Sequence, residues 1–353
     1  MSAFCSSGRK ARIAFVLPAI LLGVMTVCAG TAEAHVKWFA PYDVASQPRV
    51  LEKVLTPDLF ALTLLAVSVM LLGYVLDRTA IGESLSRSLD RVTRPARENA
   101  SVLLRAVAAF FLIAVWTLGG IILTPELKTT VSWIPSLQLA MAASLVSRRS
   151  AIFTGCGIIV LFGIAIHDYG LFHLLDYPIF LGVAAYLIAD GIRTWRPLPF
   201  ENVDLIRYTA AVTLMWASIE KWAYPEWTLP IYAQHPELTM GYDFELFMQA
   251  AGVIEFTLAF ALLGPSLVRR SASFVLLGMF ISAIFGFGKI DAVGHALIIA
   301  VLTLLAADPR RKAPATEILR GVAMPGLGYA AAFVGFLALY YGIHAVMFRT
   351  AII

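Results

Sequence analysis

Apolar residues along this chain fall in long uninterrupted runs. After a first run at 13–30, ten more can be marked at about 59–76, 103–124, 133–147, 151–166, 174–190, 205–224, 245–264, 272–288, 292–307 and 326–347. Charge, Pro or Gly bounds each one. The in-out alternation of a membrane barrel is absent, and a bilayer offers no partner to an open backbone, so the pattern predicts helices. Several runs are shorter than the about 20 residues of a full crossing, which leaves tilt or snorkelling flanks to supply the difference.

The basic residues between the runs are patterned as well. The loop 77–102 carries Arg78, Arg87, Arg91, Arg94 and Arg97, and alternate loops then hold Arg148 and Arg149, Arg193 and Arg196, and Arg269 and Arg270. The last of the series holds Arg310, Arg311, Lys312 and Arg320, while the intervening loops have few Lys or Arg. By the positive-inside rule, this alternation predicts ten spans with the mature N-terminus outside.

Composition narrows the class further. The chain is 59% hydrophobic and 14% charged, against about 45–50% and 25% for a soluble domain. Its 7 Trp, 12 Tyr and 22 Phe are spread along the length, which excludes disorder, a collagen-like fibre and a disulfide scaffold. The fold class is therefore all-α, a polytopic transmembrane bundle. A net charge of +4 is too small to argue for nucleic acid. No phosphate-binding Gly loop or GxSxG elbow occurs, and the inside loops are too short for a nucleotide-binding domain.

Arg9, Lys10 and Arg12 precede the run Ile13 to Gly30, and Ala32-Glu33-Ala34 follows it. This is the layout of a secretory signal peptide, removed to leave His35 first; an uncleaved signal anchor is the alternative. Cleavage removes Cys5 and Cys28 and leaves Cys156 alone, so dithiol chemistry is not expected of the mature chain.

Two stretches echo one another. Leu103-Leu104-Arg105 and Leu205-Ile206-Arg207 each open an apolar block, and each first helix ends near a Pro-Glu pair, Pro125-Glu126 and Pro225-Glu226. Arg148-Arg149-Ser150 matches Arg269-Arg270-Ser271, and the blocks close on Asp190 and Asp308 in similar strings. Two tandem four-helix units in the same orientation are expected, at 103–190 and 205–308. Residues 1–34 are then the signal, 35–102 an outer segment with one span and a basic loop, and 309–353 a basic loop with the last span.

Ionisable residues near membrane depth are expensive and mark either a function or an ion pair. The predicted topology brings all six histidines to the outer face, with Asp168, Asp176, Glu220, Lys221, Glu226, Lys289 and Asp291 at the same level and Glu255 deeper. Glu220, Lys221, Glu255, Lys289, Asp291 and His295 are the expected ligand or proton site. Lysine there would neutralise an anionic group, Glu255 would hold it or exchange a proton, and His295 would titrate near neutral pH. A purely structural ion-pair network is the other reading. His167, Asp168, His173 and Asp176 form a secondary polar cluster, able to relay protons or hold a metal, or simply interfacial polar residues beside Tyr169, Phe172 and Tyr177. A free His35 could chelate copper through its amine and imidazole, with Met240, Met248 and Met347 as soft ligands; Trp38, Phe39 and Tyr42 read instead as an interfacial anchor.

The second block resembles the DoxX-like family of small four-helix membrane proteins. The resemblance rests on Leu205-Ile206-Arg207 opening a helix that ends in Ser218-Ile219-Glu220-Lys221-Trp222, then on Ala251-Gly252-Val253-Ile254-Glu255 and Leu263-Gly264. It implies that Arg207, Lys221 and Glu255 occupy the family's recurring Arg, Lys and Glu positions. The first block retains Arg105 but lacks the Lys and Glu, so a site is expected in the second block, with the first as scaffold. The resemblance also implies quinone-linked redox assemblies, though fold more firmly than function.

The expected protein is thus a multi-pass inner-membrane protein whose outer-face polar pocket binds or moves a small polar or redox-active ligand, protons or ions. The alternatives are a quinone-linked membrane subunit of an oxidoreductase, needing a membrane or periplasmic redox partner, and a copper-handling protein.

Overall fold

The computed structural model describes residues 36–309, apart from Met240, and residues 318–350. The expected signal, His35, Met240 and the basic stretch 310–317 lie outside the described residues.

Each of the ten apolar runs holds helix over most of its length. In chain order the helices are α1 (Val36–Phe39), α2 (Leu51–Val54), α3 (Pro57–Asp77), α4 (Ala80–Val92), α5 (Arg94–Glu98), α6 (Ala100–Leu118), α7 (Ile134–Ser144), α8 (Ala151–Tyr169), α9 (Leu171–Leu174) and α10 (Pro178–Ile192). They continue with α11 (Asn202–Ala223), α12 (Leu229–Gln234), α13 (Phe244–Ala261), α14 (Ser266–Ala307) and α15 (Ile318–Phe348). Among the described residues there is no strand, only an isolated antiparallel bridge between Ile121 and Lys128. Six helices among the described residues are long and apolar enough to cross a bilayer: α3, α6, α8, α13, α14 and the 323–348 part of α15. The chain is a multi-pass helical membrane protein.

Three differences from the apolar pattern have physical causes. The 42 residues of α14 are two helices, because Gly288 has φ 75° and ψ −146° in their midst. Glycine adopts that left-handed backbone without a Cβ penalty, and the two arms fold back antiparallel. Arg269 accordingly meets Asp308 at 2.7 Å, and the rings of Phe280 and His295 lie 4.7 Å apart. The arms correspond to the runs 272–288 and 292–307. The run 103–124 breaks sooner, with α6 stopping at Leu118 and Gly119 leaving the helix at φ 73°. Ile121 to Leu127 then cross the interior without helical bonds, and the buried Gln138 amide donates to the carbonyls of Ile121 (2.7 Å) and Ile122 (3.1 Å). Irregular backbone is tolerated there because protein, not lipid, surrounds it. The runs 133–147 and 174–190 give short helices, 11 residues in α7 and 15 in α10. α11 spans 22 residues but carries Asp204, Arg207, Glu220 and Lys221, charges tolerated because α10 and α13 pack along it.

The basic loops meet at one end of the bundle. The Asp77 carboxylate caps the Leu267 amide at 2.8 Å, and Arg105 donates to the carbonyls of Leu145 and Val146. The first arginine of each Arg-Arg-Ser turn pairs with the aspartate closing its own block: Arg148 with Asp190 at 2.6 Å, Arg269 with Asp308 at 2.7 Å. The second arginines differ. Arg149 is exposed and donates to Thr194, whereas Arg270 is wholly buried beneath α4 and α5.

Residues 36–55 form a strap across the opposite end. Arg49 donates its backbone N–H to Ala223 (2.8 Å) and its guanidinium to both oxygens of Glu245 (2.6 and 2.8 Å). Tyr224 donates to the Ser46 carbonyl and Tyr341 to that of Arg49, at 2.8 and 2.7 Å. The strap thereby ties the ends of α11, α13 and α15 together and sets α1 over the mouth of the bundle.

Candidate functional site

Lys37, on the single turn of α1, drives its ammonium into the bundle between two carboxylates. It donates to Asp176, in the turn that leads into α10, and to Glu220 near the end of α11, 2.7 Å away. The Lys37 and Asp176 side chains are each only 1% exposed. The rings of Tyr42 and Trp227 lie 5.7 and 5.6 Å from the ammonium, within cation–π range. Tyr340 donates to Glu220 at 3.5 Å.

The next residue of α11, Lys221, pairs with Glu255 of α13 at 2.9 Å. A third pair closes the site from the second arm of α14: His295 Nδ1 lies 3.0 Å from the fully buried Asp291, with its ring between those of Trp38 and Phe280. The three pairs surround a cavity of about 110 Å³ lined by Thr124, Asp176, Glu220, Lys221, Glu255 and His295 among others. A second, mainly apolar cavity of about 260 Å³ adjoins it, sharing Lys221, Glu255 and Phe280 and lined further by Leu62, Leu246 and Ile254.

Charge is unbalanced here. Four carboxylates (Asp176, Glu220, Glu255, Asp291) face two ammonium groups (Lys37, Lys221) and one imidazole, so the site holds excess negative charge unless it takes up a proton or cation. Buried carboxylate oxygens normally have hydrogen-bond partners, yet among the described residues Asp176 Oδ1 and Asp291 Oδ1 have none, nor does the Thr124 hydroxyl beside the cavity.

Lys37, on the strap outside the spans, responds to this crowding. Burial alone would lower its pKa, but the charges of Asp176 and Glu220 outweigh it and hold the ammonium above its ordinary value. The stability this contributes is complete below the unfolded value of 10.5 and is lost only as pH rises through the folded value.

The expected residues are thus partly regrouped. Glu220, Lys221, Glu255 and His295 line the one cavity, and Asp291 supports His295. Lys289 is exposed just beyond the Gly288 bend and does not join them. The secondary cluster divides. His167 and Asp168 contact each other at 2.8 Å on the exposed end of α8, whereas His173 is buried among Tyr42, Tyr169 and Tyr177. Asp176 belongs with Glu220, because the short helix α9 turns it inward from the His167 end. Glu126 accepts from Tyr177 and lies 3.8 Å from His173. Among the described residues no group of three or more His, Cys, Asp or Glu is placed to hold a metal ion. Lys37 and Glu126 were absent from the sequence-based set. A signal for Lys37 existed: it is a solitary cation in an aromatic stretch on the face where basic residues are rare.

No family model, curated protein or solved structure matches the chain.

Proposed function

We propose that this is an inner-membrane protein of ten spans, following a cleaved signal, whose cavity at the outer face binds a small polar ligand or moves protons or cations. The strap end is outside and the arginine-rich end inside, in keeping with the alternation of basic loops. Two tandem DoxX-like units form the body. The matching Arg148–Asp190 and Arg269–Asp308 pairs support the repeat, and the Lys221–Glu255 pair at 2.9 Å is in keeping with the resemblance.

One observation carries the functional reading: three carboxylates, Asp176, Glu220 and Glu255, line a single cavity and a fourth, Asp291, backs its His295, with only two lysines to balance them. Burying that excess in a membrane protein costs stability, and an intramembrane ionisable group is by default a site. Glu255 exchanges Lys221 for a proton or cation, and the Asp291–His295 pair stands beside it at the same cavity.

The test is proton or cation uptake by proteoliposomes under an imposed potential, read by a trapped pH dye. Wild-type and Cys156→Ser protein are expected to exceed protein-free vesicles, and Glu255→Gln to fall to their level. No wild-type uptake, together with a ligand-free mass by native mass spectrometry, would overturn the reading.

The second cavity favours one alternative, a quinone-linked subunit of an oxidoreductase. A quinone head could sit beside Glu220 and Lys221 with its tail among Leu62, Leu246 and Ile254; co-purified quinone and a redox partner would decide for it. The copper reading rests on His35, outside the described residues.

A further inference from the structure

Lys37 is an unusual way to satisfy two buried carboxylates. Its partners lie 139 and 183 residues away in sequence, and it reaches them from one turn of helix on a strap rather than from a spanning helix. Everything that surrounds the ammonium belongs to recognition of a cation: Asp176 and Glu220 supply charge, and Tyr42 and Trp227 supply ring faces. Even with Lys37 in place, Asp176 Oδ1 is buried without a partner beside the cavity. The far side of the strap is fastened independently of Lys37, by the Arg49–Glu245 pair and by the bonds of Ala223, Tyr224 and Tyr341 to its backbone, so α1 can move without the rest of the strap.

We propose that Asp176 and Glu220, roofed by Tyr42 and Trp227, form a binding site for a primary organic ammonium, which Lys37 fills as a tethered stand-in until a free ligand of that class displaces it. The proposal rests on the cavity being a ligand site and names the ligand's chemical class. Binding exchanges one ammonium for another, so no charge is created or lost inside. A free alkylammonium can place a donor on Asp176 Oδ1, which the tether leaves unsatisfied, and can extend its apolar body into the adjoining cavity. Displacement lifts α1 from the mouth and frees Lys37, while the bonds at Ser46 and Arg49 hold the rest of the strap.

The test uses the full chain in detergent, with n-butylammonium as probe and sodium chloride and n-butanol as controls at matched ionic strength and concentration. In Lys37→Gly, butylammonium is expected to raise the melting temperature saturably, with neither control doing so and with the effect lost in Lys37→Gly/Glu220→Gln. Butylammonium no better than sodium would overturn the ammonium site. In wild-type protein, which requires no variant to fold, butylammonium is expected to speed tryptic cleavage after Lys37, buried until it is displaced, at least several-fold over sodium. Rescue of the variant without faster wild-type cleavage would overturn displacement, leaving the carboxylate cage as a structural clasp. Loss of uptake in Glu255→Gln proteoliposomes is read separately, so failure of the cavity reading and failure of the tethered-ligand reading give different results.

Discussion

Lys37→Met is expected to lower the unfolding free energy by about 3–5 kcal/mol, the cost of removing one partner from a buried ion pair and leaving the other uncompensated. The effect is at the upper end here because two carboxylates, Asp176 and Glu220, lose their only shared ammonium. The triple variant Lys37→Met/Asp176→Asn/Glu220→Gln is expected to recover most of the loss, since replacing every member of a buried charged group is far milder than removing one. Denaturant or thermal unfolding in a fixed detergent measures both. A Lys37→Met loss below about 1 kcal/mol, typical of an exposed pair, would contradict the burial described for this residue. A triple variant as unstable as the single one would show that the lysine stem, not its charge, provides the stability.

Arg270→Ala is expected to cost a similar amount, while Arg149→Ala at the matching position costs no more than about 0.5 kcal/mol. Arg270 is 0% exposed and uses its guanidinium fully. It donates to the carbonyls of Ala306 (2.9 Å) and Ser86 (3.3 Å) and to the Thr93 hydroxyl (3.1 Å), and pairs with Asp90 at 2.8 Å. Removing it orphans acceptors on α4, on the turn after it and on α14 together. Arg270→Lys is also expected to destabilise, because a single ammonium cannot reach four acceptors spread around a planar fork. Arg149 makes a single surface bond, to the half-buried Thr194. Equal losses for the two arginines, read from the same unfolding curves, would refute this account.

The contrast between Arg149 and Arg270 also marks how far one-dimensional pattern reaches. Both stand in the same Arg-Arg-Ser string, and nothing local distinguishes them. They differ because the amphipathic α4, with Gly82, Ser86 and Leu89 on one face, lies over the second turn and has no counterpart over the first. The apolar run 272–307 shows the opposite case. Two helices were legible there, since the interruption around Gly288 and Lys289 divides the run, and the left-handed backbone at Gly288 makes that division a reversal.

The site divides along similar lines. Glu220, Lys221, Glu255 and His295 were identifiable from sequence because charge inside an apolar helix is conspicuous. The joining of Asp176 to Glu220 was not, because it depends on the inward turn of α9 and on a lysine supplied from the strap. His167 and Asp168 looked equivalent to Asp176 in sequence, yet a few residues of helix separate an exposed rim from a buried core.

The order of amino acids alone was sufficient for the helical membrane class and for a helix in each apolar run, since the hydrophobic effect and backbone hydrogen bonding act locally within each segment. Which charges meet was decided only by the packing of α1, α10, α11, α13 and α14. Ion pairing selects partners by a few ångströms of distance in space, and separations of 139 and 183 residues along the chain leave no periodic trace.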